Sequence, residues 1–161
     1  MNFNRAFEFI MKWEGGSTFT NDENDPGGMT RYGISQRAYP DLDIYDLSES
    51  QAREIYRRDY WIASMADWLP EPIRLAHFDA AVNTGVKRAN KLLQKALRVK
   101  PDGIVGAKTI AAANRKGASV LPDMLAYRAL FYISIVRRNP SQSKFMFGWL
   151  RRTFSIANQQ G

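Results

Sequence analysis

Phe3, Phe7, Ile10 and Met11 recur at the spacing of one face of a helix, with Asn2 or Asn4 able to cap its start and Gly15-Gly16 able to stop it. A helix over about residues 4–14 follows. From Ser17 to Ile34 the pattern changes to Gly, Asn, Asp, Pro and Thr with scattered aromatics, which predicts turns and at most a short hairpin. Ser48-Glu49-Ser50-Gln51 reads as a capping box, in which hydroxyl and amide satisfy each other's backbone N–H groups, and it opens a helix carrying Ala52, Ile55 and Tyr56.

Pro70-Glu71-Pro72 starts another helix, rich in small residues (Ala76, Ala80, Ala81) and ending near Gly85. Ala89, Leu92, Leu93, Ala96 and Leu97 give a further amphipathic stripe, as do Leu125, Ala129, Tyr132, Ile133 and Val136, and a last helix is expected over about 142–154. Pro122, Asp123 and Arg128 interrupt the apolar run Val120–Val136, which therefore reads as a core helix and not a membrane span. The fold class expected is mostly α, a helical domain with a small irregular or short-hairpin N-terminal lobe. No repeat or linker divides the 161 residues, so one compact domain is expected, with a motif-bearing part at 1–85 and a helical part at 86–161 packed on it.

One residue breaks the binary pattern. Glu14 follows Phe3, Phe7 and Ile10 by eleven, seven and four positions, hence lies within about 40° of all three on a helical wheel. A carboxyl on the apolar stripe, at the negative end of the helix dipole, is placed to keep its proton, and glycoside hydrolysis needs an acid to protonate the leaving oxygen. The alternative is a carboxylate at the edge of the stripe that pairs with Lys12 or Arg31. The loop that follows holds Asp22, Glu23, Asn24 and Asp25 before Pro26-Gly27-Gly28. Asp25 and Thr30 there are chemically suited to stabilise an oxocarbenium-like transition state or to orient a water beside Glu14, although Asp25-Pro26-Gly27-Gly28 also reads as a plain turn.

Composition narrows the classes. Lys and Arg exceed Asp and Glu by 23 to 16, a net charge of +7 that attracts polyanions such as nucleic acid, anionic lipid or an acidic wall. With no cysteine and a single histidine, His77, thiol chemistry and typical zinc sites are excluded, and His77 reads as a satisfied or partly exposed residue. The segment Gly103–Thr109 fails as a phosphate loop because Ala107 stands at the second glycine, and the loop from Asp22 fails as a calcium loop because Gly33 stands where a glutamate is required. No metal and no cofactor is expected. Arg137-Arg138 and Arg151-Arg152 read as solvated helix ends with diffuse attraction for anions, the alternative being that they bind an anionic wall or membrane polymer.

Trp13-Glu14-Gly15-Gly16 followed by Asn24-Asp25-Pro26-Gly27-Gly28-Met29-Thr30-Arg31-Tyr32-Gly33-Ile34-Ser35 resembles the signature of glycoside hydrolase family 108, the family of bacteriophage endolysins and related bacterial muramidases. The resemblance continues through Asp59-Tyr60-Trp61 and Phe78-Asp79-Ala80-Ala81-Val82-Asn83-Thr84-Gly85. Beyond these, Asp102-Gly103-Ile104-Val105-Gly106-Ala107-Lys108-Thr109 is similar to the family's C-terminal peptidoglycan-binding segment. The resemblance implies a lysozyme-like fold and an N-acetylmuramidase that cleaves the β-1,4 bond between N-acetylmuramic acid and N-acetylglucosamine, with Glu14 of the intact Glu-Gly-Gly motif as catalytic acid.

A looser similarity links Glu14, Asp25 and Thr30 to the Glu, Asp and Thr set of some phage lysozymes. The spacing differs, with ten residues between Glu14 and Asp25 and four between Asp25 and Thr30, so Asp22 or Glu23 stands as an alternative second group. Tyr32, Tyr60, Trp61 and Asn83 are picked to line a saccharide groove, the rings to stack on sugars and the amide to read an N-acetyl group. The expected partner is bacterial peptidoglycan, with no specific nucleic acid, and the protein is expected to be monomeric. Without a conventional signal peptide it is expected to be made in the host cytoplasm and to reach the wall through a holin or another route.

Overall fold

The computed structural model describes residues 1–21 and 28–159. The chain is mostly helical, with a three-stranded antiparallel sheet near its N-terminus, and it divides into two compact units, residues 2–59 and residues 60–161 with Met1.

In the first unit, α1 (Phe3–Trp13) starts where the Asn2 side chain accepts the Arg5 amide at 3.1 Å, and it buries Phe3, Ala6, Phe7, Phe9 and Ile10. It starts and ends one residue earlier than the periodicity predicts, with Glu14 as the cap: its N–H still bonds to the Ile10 carbonyl, after which the chain leaves through Gly15 and Gly16, both at positive φ. The loop beyond forms β1 (Phe19–Thr20), β2 (Thr30–Arg31) and β3 (Ile34–Ser35) in the order β1-β2-β3. Arg31 pairs with Ile34, so Tyr32-Gly33 is a two-residue hairpin loop with φ of +52° and +72°. Such tight loops demand left-handed central residues, which match the strand twist.

Helix α2 (Glu49–Tyr56) carries the expected capping box between Ser48 and Gln51 and buries Ala52, Ile55 and Tyr56. Its Tyr56 ring meets Phe7 edge-on with centroids 5.5 Å apart, and Arg53 lies over the same Phe7 ring, so α1 and α2 share one aromatic core. A π-helical turn, Arg57–Ile62, follows.

The second unit contains α3 (Glu71–Thr84), α4 (Val86–Leu97), α5 (Ala107–Lys116), α6 (Leu121–Arg138) and α7 (Met146–Ser155). Helix α3 is buried nearly all round, from Ile73 through Ala81, which is the pattern of a helix enclosed by others. Its small residues Ala80 and Ala81 let Ala89 of α4 pack closely against it. The enclosed face also carries His77 and Asp79, both without exposed surface.

His77 Nε2 contacts the Ser64 carbonyl at 3.1 Å, and burial lowers its pKa to about 4. Asp79 takes Arg128 of α6 on one oxygen at 2.5 Å and Arg152 of α7 on the other at 2.8 Å. Arg152 is thus a buried ion-pair partner, where the sequence reading had it as a solvated helix end: one turn of α7 aims it inward while its neighbour Arg151 stays exposed. The run Ala107–Arg138 contains an 18-residue window that is apolar enough to cross a membrane by length and composition. A tight turn at Gly117–Val120 divides it, and buried, ion-paired Arg128 sits in its second half. The last helix begins later than expected, because Asn139 caps a 3-10 segment, Pro140–Phe145, before α7.

Candidate active site

The carboxyl that breaks the binary pattern sits where α1 stops, so its backbone is fixed by the Ile10 bond and its side chain leaves the helix beside the β2–β3 hairpin. A Cβ on Gly33 would lie 2.8 Å from Glu14 Cβ, 3.0 Å from Glu14 Oε2 and 2.7 Å from the Tyr56 hydroxyl. Only a glycine leaves room for all three at that point, and its positive φ is a conformation that L side chains adopt at a cost.

The Tyr56 hydroxyl donates to the Tyr32 carbonyl at 2.9 Å, in the buried interior, and so ties the hairpin loop to α2. Glu14 is half-buried. Three elements, the end of α1, the Tyr32-Gly33 loop and α2, therefore converge on one carboxyl.

Of the other residues expected at the site, Tyr32 forms the loop that faces Glu14. It also lines an open groove of about 360 Å³ with Phe7, Met11, Lys12 and Arg53. Thr30 is on β2, two residues before the loop, half-buried, with its hydroxyl donating to the Gly28 carbonyl at 3.3 Å. Asp25, and the alternatives Asp22 and Glu23, lie outside the described residues. Arg31 donates to the Tyr45 carbonyl at 2.6 Å. A second carboxylate of this unit, Asp59, accepts from Arg58 and from the Tyr39 hydroxyl, and the Arg58 bond first among these holds it below the usual carboxylate range.

Tyr60, Trp61 and Asn83 belong to the second unit. Tyr60 is half-buried. Trp61 is 1% exposed, its ring edge-on to Phe78 at 5.1 Å, so it offers no face for a sugar to stack on and is a core residue; this corrects the sequence reading. The Asn83 carbonyl oxygen accepts from the Tyr132 hydroxyl, which accepts in turn from Arg128 Nε at 2.7 Å. The amide is thus the outer end of a chain that runs through Arg128 to Asp79, and that chain escapes sequence reasoning. Tyr56 and Gly33 escape it as well, although Tyr32-Gly33 between two strand-like pairs carries a hairpin signal.

Residues 7–85 match the family model described as Glycosyl hydrolase 108, and residues 88–154 match the one described as Predicted Peptidoglycan domain. Among solved structures, that of Brucella abortus SagA is similar, with 30% sequence identity and a TM-score of 0.82 over 98% of this chain and 92% of that one. No curated protein matches the chain.

Proposed function

The chain belongs to the glycosyl hydrolase 108 family and is a glycoside hydrolase acting on peptidoglycan, and from that premise we propose that it is an N-acetylmuramidase with Glu14 as its general acid. The bond cut is the β-1,4 linkage from N-acetylmuramic acid to N-acetylglucosamine. Glu14 gives its proton to the glycosidic oxygen as the bond to the anomeric carbon lengthens, and the positive charge that develops on the sugar is met by a second polar group. Asp25 and Thr30 are proposed for that second role, to stabilise the charge or orient the attacking water. Tyr32 and Tyr60 are proposed as sugar contacts and Asn83 as a reader of the N-acetyl group.

The observation that carries the reading is the seat built for Glu14. Within the segment matched to the hydrolase family, a helix end, a glycine that has no space for a methyl group and a hydrogen-bonded tyrosine hold one carboxyl in place. A general acid acts only when it is held in fixed geometry against the bond it protonates. The net charge of +7 draws the enzyme to an acidic wall, an attraction that salt weakens. The endolysin role, with synthesis in the cytoplasm and release to the wall, belongs to the same proposal; lysis timing with and without a co-expressed holin tests it.

The deciding experiment compares wild type with Glu14→Gln on isolated peptidoglycan, identifying new reducing ends after digestion and checking fold and wall binding in parallel. Muramic reducing ends from wild type, with a loss of more than about 100-fold in the variant, are expected. Equal rates would remove Glu14 from the mechanism. Binding without cleavage by either protein would make the chain a wall-binding module.

A further inference from the structure

The outer face of α7 carries what a soluble helix normally turns inward. Phe147, Arg151 and Phe154 are spaced by four and three positions and share one exposed stripe, while Arg152, Thr153 and Ile156 take the buried side. Phe147 is 78% exposed, Phe154 54%, and Phe145, just ahead of the helix, 45%. Lys144 stands over the Phe145 ring at 5.0 Å.

Charge narrows the occupant to an anionic partner. Residues 60–161 hold sixteen Lys and Arg against five Asp and Glu, a balance of +11, whereas residues 2–59 hold seven against eleven, −4. After Asp123 the chain has no acidic residue at all. Two of the arginines in that tail, Arg128 and Arg152, are buried and share the single charge of Asp79, while Arg137, Arg138, Lys144 and Arg151 lie at the surface.

We propose that the Lys144–Phe154 face docks on the surface of an anionic phospholipid bilayer, with Phe147 and Phe154 entering the headgroup region and Lys144 and Arg151 meeting lipid phosphates. A lipid surface takes both features, the rings in its headgroup region and the cations on its phosphates; a wall glycan, whose sugars also stack on rings, is the competing occupant, since the face lies within residues 88–154, and the test below separates the two. A second copy is disfavoured, since a two-fold contact sets the same basic face against itself. The proposal is independent of Glu14 and of the bond cut.

The test is flotation of the full-length protein with vesicles of pure phosphatidylcholine and vesicles in which phosphatidylglycerol replaces about a third of it. Wild type is expected to float with the anionic vesicles alone. Phe147→Ser/Phe154→Ser and, separately, Lys144→Gln/Arg151→Gln should each lower the partition coefficient by at least about tenfold. Both variants should digest isolated, lipid-free peptidoglycan at the wild-type rate. No vesicle binding by wild type, or undiminished binding by the Phe variant, overturns the proposal. So does a result in which these substitutions instead weaken binding to isolated peptidoglycan or abolish self-association, which would assign the face to the wall polymer or to a second copy.

Discussion

Replacing Gly33 by alanine probes the seat of Glu14 with a single methyl group. Two costs add. The φ of +72° places any L residue in the left-handed region at about 1–2 kcal/mol. The new Cβ also lands 2.7 Å from the Tyr56 hydroxyl and 2.8 Å from Glu14 Cβ. Neither neighbour yields easily: the Tyr56 ring is buried against Phe7, and Glu14 Cβ is fixed by its own backbone at the helix end. Overpacking of this kind costs about 1–3 kcal/mol, so the total is about 2–5 kcal/mol.

Gly16→Ala isolates the first cost, because Gly16 has a φ of +56° and no atom within 4 Å of its missing Cβ. At about 2–4 °C per kcal/mol for a chain of this size, Gly33→Ala should melt clearly below Gly16→Ala in thermal unfolding followed by circular dichroism. At a temperature where both are folded, Gly33→Ala should also release muropeptides more than about tenfold more slowly, since the methyl displaces the acid from its working position. Melting temperatures within about one degree of each other, with equal rates, would refute the close contact from which the seat was inferred.

Other outcomes follow from the same contacts. Tyr56→Phe removes the donor to the Tyr32 carbonyl and leaves that buried acceptor unmet, a loss of about 1–3 kcal/mol readable by urea unfolding. Asp79→Ala strands two buried guanidinium groups and should cost about 3–5 kcal/mol or prevent folding, whereas the exposed Asp123→Ala should be nearly silent; comparable urea midpoints would contradict the ion-pair assignment. His77 has a folded-state pKa of about 4, below its unfolded value of 6.5, so the unfolded chain binds the extra proton between those limits. Its contribution is therefore fully present above pH 6.5 and is lost as pH falls toward 4, by up to about 3 kcal/mol. A His77→Gln variant whose stability falls as steeply as wild type over that window would show that other groups dominate it.

Local features of the chain were legible before any coordinates. The stripe of Phe3, Phe7 and Ile10 announces α1, Ser48 and Gln51 announce α2, and Glu14 stands out because it violates a period that its neighbours obey. What stayed hidden is non-local. Asp79 finds Arg128 and Arg152 at separations of 49 and 73 residues, and nothing in the spacing of Arg151-Arg152 says which of the pair turns inward. Trp61 failed for a related reason: an aromatic residue type fits a sugar platform and a core equally well, and only Phe78 across the packing decides. Tyr56 shows the same limit on a smaller scale. Its apolar register was readable, but the hydroxyl's partner on a hairpin 24 residues earlier was not.

The double ion pair on Asp79 also sets a schedule for synthesis. Helix α3 leaves the ribosome with a buried-site carboxylate whose second partner, Arg152, is translated 73 residues later. At about 5–20 residues per second that interval is about 4–15 s, during which the central helix of the second unit cannot close its polar interior. Residues 2–59, by contrast, contain within themselves the contacts that seat Glu14. A chain stopped between residues 60 and 151 therefore carries the Glu14 seat but not the full support of α3, which makes α7 a late checkpoint in maturation.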